Sequence, residues 1–363
     1  MAQLDRMPAL WRTLAIGLAV ATVAPAAAQA KPRPEPLVDA APLGSHFKDR
    51  VLSSAKTVAH AAATAKFYAY PTKEGTSVSV AISDGYNGQV SNTVAQSYVD
   101  FLDSLDHGPE LTALRIVIAP PSEVLSSCGG QDGTLACYDS GTSTMVVPGE
   151  SMASSSGVTT SYVVAHEYGH HIAANRSNPP FNAFAWGPKY WASYEQVCNR
   201  ASRGLLAPGN EGPSYTSNPG EGWAETFAQL KYPDAGWQFT PLLKPDTGAF
   251  AAAQHDALTP WEHPVTKVFT GSFGRSGSNT RRFTFPLTLD GSLAVRLYGP
   301  RRSNYNLAIA SGNKDEGRTS KAGSRDRLSY TAACRSQATE HVAVTVKRVT
   351  GSGPFTLRIS YAG

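Results

Sequence analysis

The chain has 363 residues, of which 41% are hydrophobic and 17% charged, with a formal net charge of +4. This length can bury a substantial core and favours two globular units, and the composition excludes disorder over most of the chain. Beyond the N-terminus, no apolar stretch reaches the roughly 18 residues that a membrane-spanning helix needs.

The first 30 residues have the features of a secretory signal peptide. Arg6 and Arg12 supply positive charge, an apolar run extends from Leu14 to Val23, and Ala28-Gln29-Ala30 provides a small-residue cleavage site. The run is too short for a membrane anchor. We therefore expect a protein secreted to the periplasm or the medium. A Pro-rich linker follows over residues 31–45.

Export affects how the four cysteines are interpreted. Outside the cytoplasm an even number favours two disulfides. Cys128 and Cys137 flank a Gly-rich loop and form the natural close pair, which leaves Cys198 with Cys334. Four cysteines allow three pairings. A four-cysteine zinc site is the alternative, but it is disfavoured because no Cys-x-x-Cys spacing occurs.

The apolar pattern from residue 46 to residue 264 predicts a domain of mixed helices and strands. The predicted elements are, in chain order, a helix over 47–67, a strand over 76–82, a helix over 90–105, strands over 114–118 and 144–147, a helix from 159 or 160 to about 175, a helix over 189–203, a loop over 210–220 and a helix over 221–230.

Short alternating runs replace this helical pattern over residues 265–363 and predict a small all-β sandwich. The runs lie at 282–285, 293–297, 305–309, 341–346 and 355–359. This region carries 16 Lys and Arg against 5 Asp and Glu, whereas the rest of the chain carries 16 against 23. The small net charge of the whole chain is therefore the sum of a basic C-terminal region and an acidic N-terminal region.

The segment His166-Glu167-Tyr168-Gly169-His170 is the strongest chemical signal. Residues four apart lie on one face of a helix, so His166 and His170 can point two imidazoles at one metal ion. Zinc suits imidazole ligands and makes a bound water acidic, and Glu167 can take a proton from that water. The alternative is an ordinary helix with two histidines. His171 faces about 100° away and is a poor ligand.

A third zinc ligand is expected from Glu221-Gly222-Trp223-Ala224-Glu225, which begins 51 residues after His170. Two carboxylates four residues apart on a helix can have different functions at one metal site. Glu221 would bind the metal, and Glu225 would hydrogen-bond a ligand imidazole. Glu225 as the metal ligand remains an alternative, as does a helix start that favours acidic residues for its dipole alone.

These motifs carry a family resemblance over roughly residues 114–230. The run from Ser161 to Ile172 resembles the active-site helix of gluzincin metallopeptidases, including the neutral zinc metallopeptidases, and Cys128, Cys137 and the strand over 144–147 are also similar. The run from Ser214 to Ala228 resembles the third-ligand helix of anthrax lethal factor-like peptidases. The chain is thus identified as an α+β protein with a zincin-like metallopeptidase domain.

The resemblance implies roles for particular residues. Zinc would be bound by His166, His170 and Glu221, Glu225 would support a ligand histidine, and Glu167 would be the catalytic base of a zinc peptidase acting on protein or peptide substrates. Tyr215 matches the tyrosine that assists the oxyanion, with Tyr232 and Tyr194 as alternatives. The strand over 144–147 resembles the zincin edge strand that pairs with an extended substrate, or is a plain sheet strand.

The C-terminal region, residues 265–363, resembles the pre-peptidase C-terminal β-sandwich of secreted peptidases at Gly291–Leu297, Asn304–Ile309 and Gly351–Leu357. Its basic charge suits an acidic surface polymer, or serves only as a solvated surface. Nucleic acid is not expected, because basic and aromatic residues do not interleave. The alternative function is that of a catalytically inactive protein with a zincin-like fold, which binds a cell surface or matrix through this region.

Overall fold

The computed structural model describes residues 32–44, 47–52, 58, 65–88, 91–129, 133–150, 157–312, 314–337 and 339–363. The predicted signal peptide, residues 1–30, lies outside these described residues. Residues 32–44, which cover most of the predicted linker, form neither helix nor strand. Among the helices that are described, none has the length and apolar character needed to cross a bilayer.

A six-stranded mixed sheet forms the centre of the N-terminal half. Its strands are β1 (Lys48–Leu52), β2 (Tyr68–Pro71), β3 (Ser77–Ile82), β4 (Arg115–Ala119), β5 (Thr134–Asp139) and β6 (Thr144–Pro148), and their spatial order is β1-β5-β6-β4-β3-β2. β1 runs parallel to β5, and β5 runs antiparallel to β6. β3, β4 and β6 are parallel to one another, and β2 closes the far edge antiparallel to β3.

Helices cover this sheet and supply the rest of the core. They are α1 (Asn92–Leu102), α2 (Pro121–Ser127), α3 (Thr160–Ala174), α4 (Ala183–Trp186), α5 (Lys189–Tyr194), α6 (Val197–Ser202), α7 (Pro219–Lys231) and α8 (Thr247–Leu258). Helix α3 packs against β5, β6 and α7. Because it is covered on every side, its residues from Thr160 to Ala173 are all buried.

The sequence correctly predicts several of these elements and is wrong about three. Residues 48–52 are a strand rather than part of a helix, because they pair with β5 far along the chain. The helix predicted over 189–203 is two helices, separated at Gln196, whose φ of 49° is left-handed. The strand β6 is not an edge strand, since β5 and β4 flank it on both sides.

Two antiparallel four-stranded sheets form the C-terminal half. The strands are β7 (Val265–Phe273), β8 (Thr280–Leu287), β9 (Gly291–Tyr298), β10 (Asn304–Ser311), β11 (Lys314–Arg318), β12 (Arg327–Ala333), β13 (Glu340–Thr350) and β14 (Gly353–Tyr361). The sheet orders are β11-β10-β13-β8 and β12-β9-β14-β7. Alternate residues of both sheets share one apolar core, so the two sheets pack face to face. All five alternating runs predicted from the sequence lie within these strands.

The two halves belong to one compact unit, residues 32–363, and buried polar contacts join them. The Lys189 ammonium donates to the carbonyl oxygens of Pro179 (2.8 Å) and Asp290 (2.9 Å). The Arg335 guanidinium donates to the Asp290 carboxylate (3.1 Å) and to the Ser193 carbonyl (2.6 Å). A buried charge is stable only when it is paired and hydrogen-bonded, so these contacts fix how the halves meet.

Two disulfides are present, with the pairing that the sequence favours. Cys128 and Cys137 have Cα atoms 5.7 Å apart, and Cys198 and Cys334 have Cα atoms 5.1 Å apart. The second bridge spans 136 residues and links α6 in the N-terminal half to the end of β12 in the sandwich. Disulfides of this kind persist outside the reducing cytoplasm, which agrees with an extracytoplasmic protein.

Candidate metal centre

Helix α3 presents the two histidines of the motif to the interior. The Thr159 side chain caps the helix by accepting a hydrogen bond from the Tyr162 N–H, so the helix begins at the predicted residue. One turn separates His166 from His170, and their ring centroids are 5.0 Å apart. Both imidazoles are buried.

Helix α7 brings the predicted acidic residues to the same place. Asn218 caps it and Pro219 occupies its first position, so Glu221 falls in the first turn. The helix crosses α3 at Gly169, where an added Cβ would lie only 2.8 Å from the Ala224 Cα atom. The Trp223 indole N–H donates to the Gly169 carbonyl at 2.8 Å and fixes this crossing. A small residue at 169 is therefore what lets Glu221 reach the histidines.

Four side chains converge at this crossing, and the sequence predicted three of them. Asp49, His166, His170 and Glu221 each offer one ligand atom, and these atoms all lie within 4.8 Å of one another. The Glu221 carboxylate lies 3.3 Å from His166 Nε2 and 3.4 Å from His170 Nε2. The Asp49 carboxylate lies 3.5 Å and 3.2 Å from the same two atoms. The cluster is buried and could hold a metal ion.

Asp49 is the residue that sequence reasoning missed. It lies on β1, and its side chain is fully buried because it points toward the histidines of α3. In the sequence it stands in Lys48-Asp49-Arg50, three residues after His46, and forms no recognised metal-binding motif. Only the parallel pairing of β1 with β5 brings it to the histidines, so local patterns carried no signal for it.

Glu225 lies where the sequence predicted a supporting carboxylate. Its Oε2 atom accepts a hydrogen bond from His166 Nδ1 at 3.1 Å. This bond makes Nδ1 a donor to Glu225, so Nε2, which faces Asp49 and Glu221, is the nitrogen that would bind a metal ion. Glu225 is not among the four side chains that converge, so the geometry favours Glu221 over Glu225 as the ligand.

The electrostatics of the cluster favour positive charge at its centre. Burial alone would lower the pKa of His170, but the carboxylates of Glu221 and Asp49 raise it to about 10. Burial likewise opposes ionisation of Asp49, yet His166 and His170 hold its pKa below the ordinary value. Carboxylates and imidazoles thus stabilise one another as ions, as expected of a site built for a cation.

Glu167 lies in the same buried region with both carboxylate oxygens unpartnered among the described residues. Burial, and then the negative charge of Asp49, raise its pKa well above the ordinary value, although the two histidines oppose this. Buried carboxylates are normally hydrogen-bonded, so an unpartnered one marks a position where a proton or a polar molecule is to be handled.

Of the three tyrosines considered from the sequence, only Tyr215 reaches the cluster. Its hydroxyl donates a hydrogen bond to the Asp49 carboxylate. The Tyr232 hydroxyl donates to Asp39 at 2.6 Å, and the Tyr194 hydroxyl donates to Asp246 at 2.9 Å. Tyr215 is therefore the tyrosine positioned to act on a molecule bound at the cluster.

His171 points away from the cluster, as its helical position predicts. Its Nε2 atom donates to the Glu110 carbonyl at 2.8 Å, and its Nδ1 atom accepts from the Tyr138 hydroxyl at 2.9 Å. Burial lowers the pKa of His171, which suits a neutral imidazole with one donor and one acceptor. This histidine has a structural role in the core.

Three arginines of the sandwich form a row on one sheet face. Arg296 on β9 lies directly opposite Arg327 on β12 and opposite Arg358 on β14. All three side chains are exposed, and none forms a salt bridge with any described residue. Adjacent strands are about 4.8 Å apart, and like charges placed directly opposite are destabilising. The row therefore favours an anionic partner.

No protein-family model matches this chain, and no curated protein matches it significantly. Among solved structures, the comparison finds the crystal structure of Aeromonas hydrophila PliG, a periplasmic lysozyme inhibitor of g-type lysozyme. The identity is 19% over 27% of this chain and 85% of that chain. The TM-score of 0.20 is too low to support a shared fold. Any assignment of function therefore depends on the residues of the site.

Proposed function

We propose that this chain is a secreted zinc-dependent endopeptidase of the gluzincin type, with His166, His170 and Glu221 as its zinc ligands and Glu167 as its general base. One observation carries the proposal: three predicted ligands, 51 residues apart at their widest gap, meet in one buried cluster beside an unpartnered glutamate. This combination of two imidazoles, a carboxylate and a free carboxylate is the donor set of a hydrolytic zinc centre.

The distances in the cluster support zinc in particular. Tetrahedral zinc with bonds of about 2.0–2.1 Å keeps its ligand atoms roughly 3.3 Å apart. The four nitrogen-to-oxygen distances between the histidines and the two carboxylates run from 3.2 to 3.5 Å. Imidazole and carboxylate are also ligands that zinc accepts, whereas magnesium and calcium prefer oxygen alone. The donor types and these four distances therefore fit a zinc ion.

Each nearby side chain has a role in peptide hydrolysis. Zinc would supply an acidified water and a polarised scissile carbonyl. Glu167, whose carboxylate oxygens have no partner among the described residues, would accept a proton from the attacking water and pass it to the leaving amine. Tyr215, whose hydroxyl already donates into the cluster, would donate to the oxygen that gains negative charge. Glu225 would hold His166 in the ligating tautomer.

The test combines metal content with peptide cleavage. The full chain and its Asp49→Ala variant are purified, zinc is measured by atomic emission, and hydrolysis of casein and of a peptide library is followed with and without a chelator. Glu167→Gln should keep zinc but lose turnover by at least a hundredfold. Glu195→Gln, a buried glutamate paired with Arg200, is the matched control. Zinc-loaded proteins that cleave nothing, or cleavage that survives chelation, would contradict the proposal.

A second role, binding of an acidic polymer, is favoured by the arginine row, which consists of Arg296, Arg327 and Arg358. Exposed ion pairs contribute about 0.2–1 kcal/mol each, so three together correspond to about a threefold or greater change in affinity. We expect replacement of all three by Gln to weaken binding to polygalacturonate, a carboxylated polysaccharide, by at least that factor. The same role fits the rival reading of the protein as a binding scaffold without catalysis.

A matched control distinguishes binding by the arginine row from binding by the general positive charge of the sandwich. Arg275, Arg301 and Arg302 are exposed arginines of the same half that lie outside the row, and replacing them by Gln removes the same charge. Binding is measured by calorimetry at two salt concentrations. Equal losses in the two triple variants would reduce the role to a solvated basic surface.

A further inference from the structure

The metal centre is closed in this structure, and one segment closes it. A catalytic zinc site keeps one position open for water and substrate. Here Asp49 fills a fourth position beside His166, His170 and Glu221, and every one of these side chains is buried. The closing residue comes from the N-terminal segment, by which we mean residues 32–44 and 47–52.

Asp49 also engages the other groups that would act on a substrate. The Tyr215 hydroxyl donates to one Asp49 oxygen, while the other oxygen faces both ligand histidines. The Phe47 ring packs edge-on against the His166 imidazole, with centroids 5.0 Å apart. A peptide carbonyl placed for hydrolysis would need the space that the Asp49 carboxylate now fills.

The same strand covers the sheet edge nearest the centre. β1 is the outermost strand and pairs only with β5, so β5 would become the edge if β1 left. A sheet edge can bind an extended peptide through main-chain hydrogen bonds. One segment therefore blocks both the metal position and the neighbouring strand edge.

The first part of the N-terminal segment, residues 32–44, is attached in a way that would let it detach from the surface. From residue 32 to 44 the chain lies on the surface, and Val38 and Leu43 are 67% and 97% exposed. Main-chain hydrogen bonds hold it there, for example from Leu37 N–H to Ser97 Oγ at 2.8 Å and from Leu43 N–H to the Gly157 carbonyl at 2.8 Å. Leu37 packs against the core, but most of residues 32–44 is exposed, so little apolar area would be exposed if this part detached. Displacement of β1 would in addition break its pairing with β5 and expose Phe47, which belongs to the core.

We propose that the N-terminal segment is an inhibitory prosegment, in which Asp49 occupies the substrate position of the metal centre until the segment is displaced. This inference rests on the proposed function, because a closed position matters only if the metal acts on a substrate. Its chemistry is a carboxylate-for-water exchange at the metal, without any change in covalent bonds. Displacement frees the fourth position, Tyr215 and the edge of β5 together.

The test measures access to the metal independently of hydrolysis. The protein is loaded with Co²⁺ in place of zinc, and acetohydroxamate, a small metal-binding probe, is added while the visible spectrum is recorded. The parent chain should give no spectral change at probe concentrations that convert Asp49→Ala fully. Lys48→Ala, on the same strand with an exposed side chain, should behave as the parent does.

Two results with the parent chain and the Asp49→Ala variant would contradict closure by Asp49. A parent chain that responds like Asp49→Ala, or an Asp49→Ala variant that stays silent while holding Co²⁺, would overturn it. If Asp49→Ala does not hold the ion, Phe47→Ala serves as the second variant. It loosens the segment without removing a carboxylate and should respond at lower probe concentration than the parent. An unchanged response from Phe47→Ala in that case would overturn the inference.

Hydrolysis by the zinc forms then separates this inference from the proposed function. If both hold, Asp49→Ala should cleave the peptide library at least tenfold faster than the parent chain. If Asp49→Ala admits the probe but cleaves nothing, closure by Asp49 stands and the peptidase proposal fails. If parent and variant both admit the probe and cleave equally, the peptidase proposal stands and the prosegment inference fails.

Discussion

Substitution of Gly169 by Ala tests the helix crossing that assembles the metal centre. An added Cβ would lie 2.8 Å from the Ala224 Cα atom and 3.2 Å from its carbonyl oxygen. Carbon atoms in contact are normally about 3.5–4.0 Å apart, so the two helices must separate by up to about 1 Å. Glu221 lies on the displaced helix and would move with it.

The magnitude follows from two opposing effects. Ala in place of Gly in a helix interior stabilises by about 1 kcal/mol, whereas overpacking a buried contact costs about 1–3 kcal/mol. The net expectation is a loss of up to about 2 kcal/mol in the free energy of unfolding. Because a shifted Glu221 no longer matches the two histidines, zinc affinity should fall about 10–100-fold, as it does when groups that orient ligands are altered.

The assay pairs urea denaturation with zinc competition against a chromophoric chelator. Gly212→Ala is the control, because an added Cβ there meets nothing closer than 3.7 Å and the residue lies in a loop. A Gly169→Ala protein that is about 1 kcal/mol more stable than the parent, with unchanged zinc affinity, would show that the helices do not touch at this point. That result would also contradict the inference that the crossing at Gly169 brings Glu221 to the two histidines.

Three further expectations follow from single features. Glu221→Ala should lower zinc occupancy far more than Glu225→Ala, measured by atomic emission, because only Glu221 faces both histidines; the reverse order would make Glu225 the ligand. Replacing Cys198 and Cys334 by Ser should lower the free energy of unfolding, measured in urea, by about 5 kcal/mol. Replacing Cys128 and Cys137, which are only 9 residues apart, should lower it by about 2.5 kcal/mol. The difference arises because a disulfide removes more entropy from the unfolded chain when it closes a longer loop. Burial raises the pKa of Asp256 to about 7. Folding therefore takes up a proton at Asp256 between about pH 4 and 7. This group makes the free energy of unfolding fall as pH rises through that range, and the Asp256→Asn variant should lack this contribution, measured as the difference between the two proteins.

Local sequence signals were enough to place α3 and α7. The capping Thr159, the apolar run after it and the four-residue histidine spacing are all contained within one helix. The start of α7 is marked in the same way, by an Asn cap, a Pro at the first position and an acid in the first turn. That these two helices meet followed from the expectation that Glu221 binds the same metal ion as His166 and His170, whereas the close approach of α7 at Gly169 is seen only in the structure.

Features that depend on distant pairing were beyond the sequence. Asp49 lies 121 residues from His170, and the sequence around it forms no recognised metal-binding motif. The region after residue 46 reads as helical, yet residues 48–52 form a strand because the edge of β5 offers hydrogen bonds that a lone segment lacks. The edge role of β6 was wrong for the same reason, since only the assembled sheet shows which strand lies outermost.

The buried junction between the two halves limits how the chain can be shortened. Lys189 belongs to the N-terminal half, but one of its two acceptors is the Asp290 carbonyl, between β8 and β9 of the sandwich. A chain ending at residue 264 would keep this ammonium in an apolar setting with half of its acceptors gone, and Cys198 would be an unpaired thiol. Such a fragment should aggregate on expression, because the β-sandwich completes the interior of its neighbour.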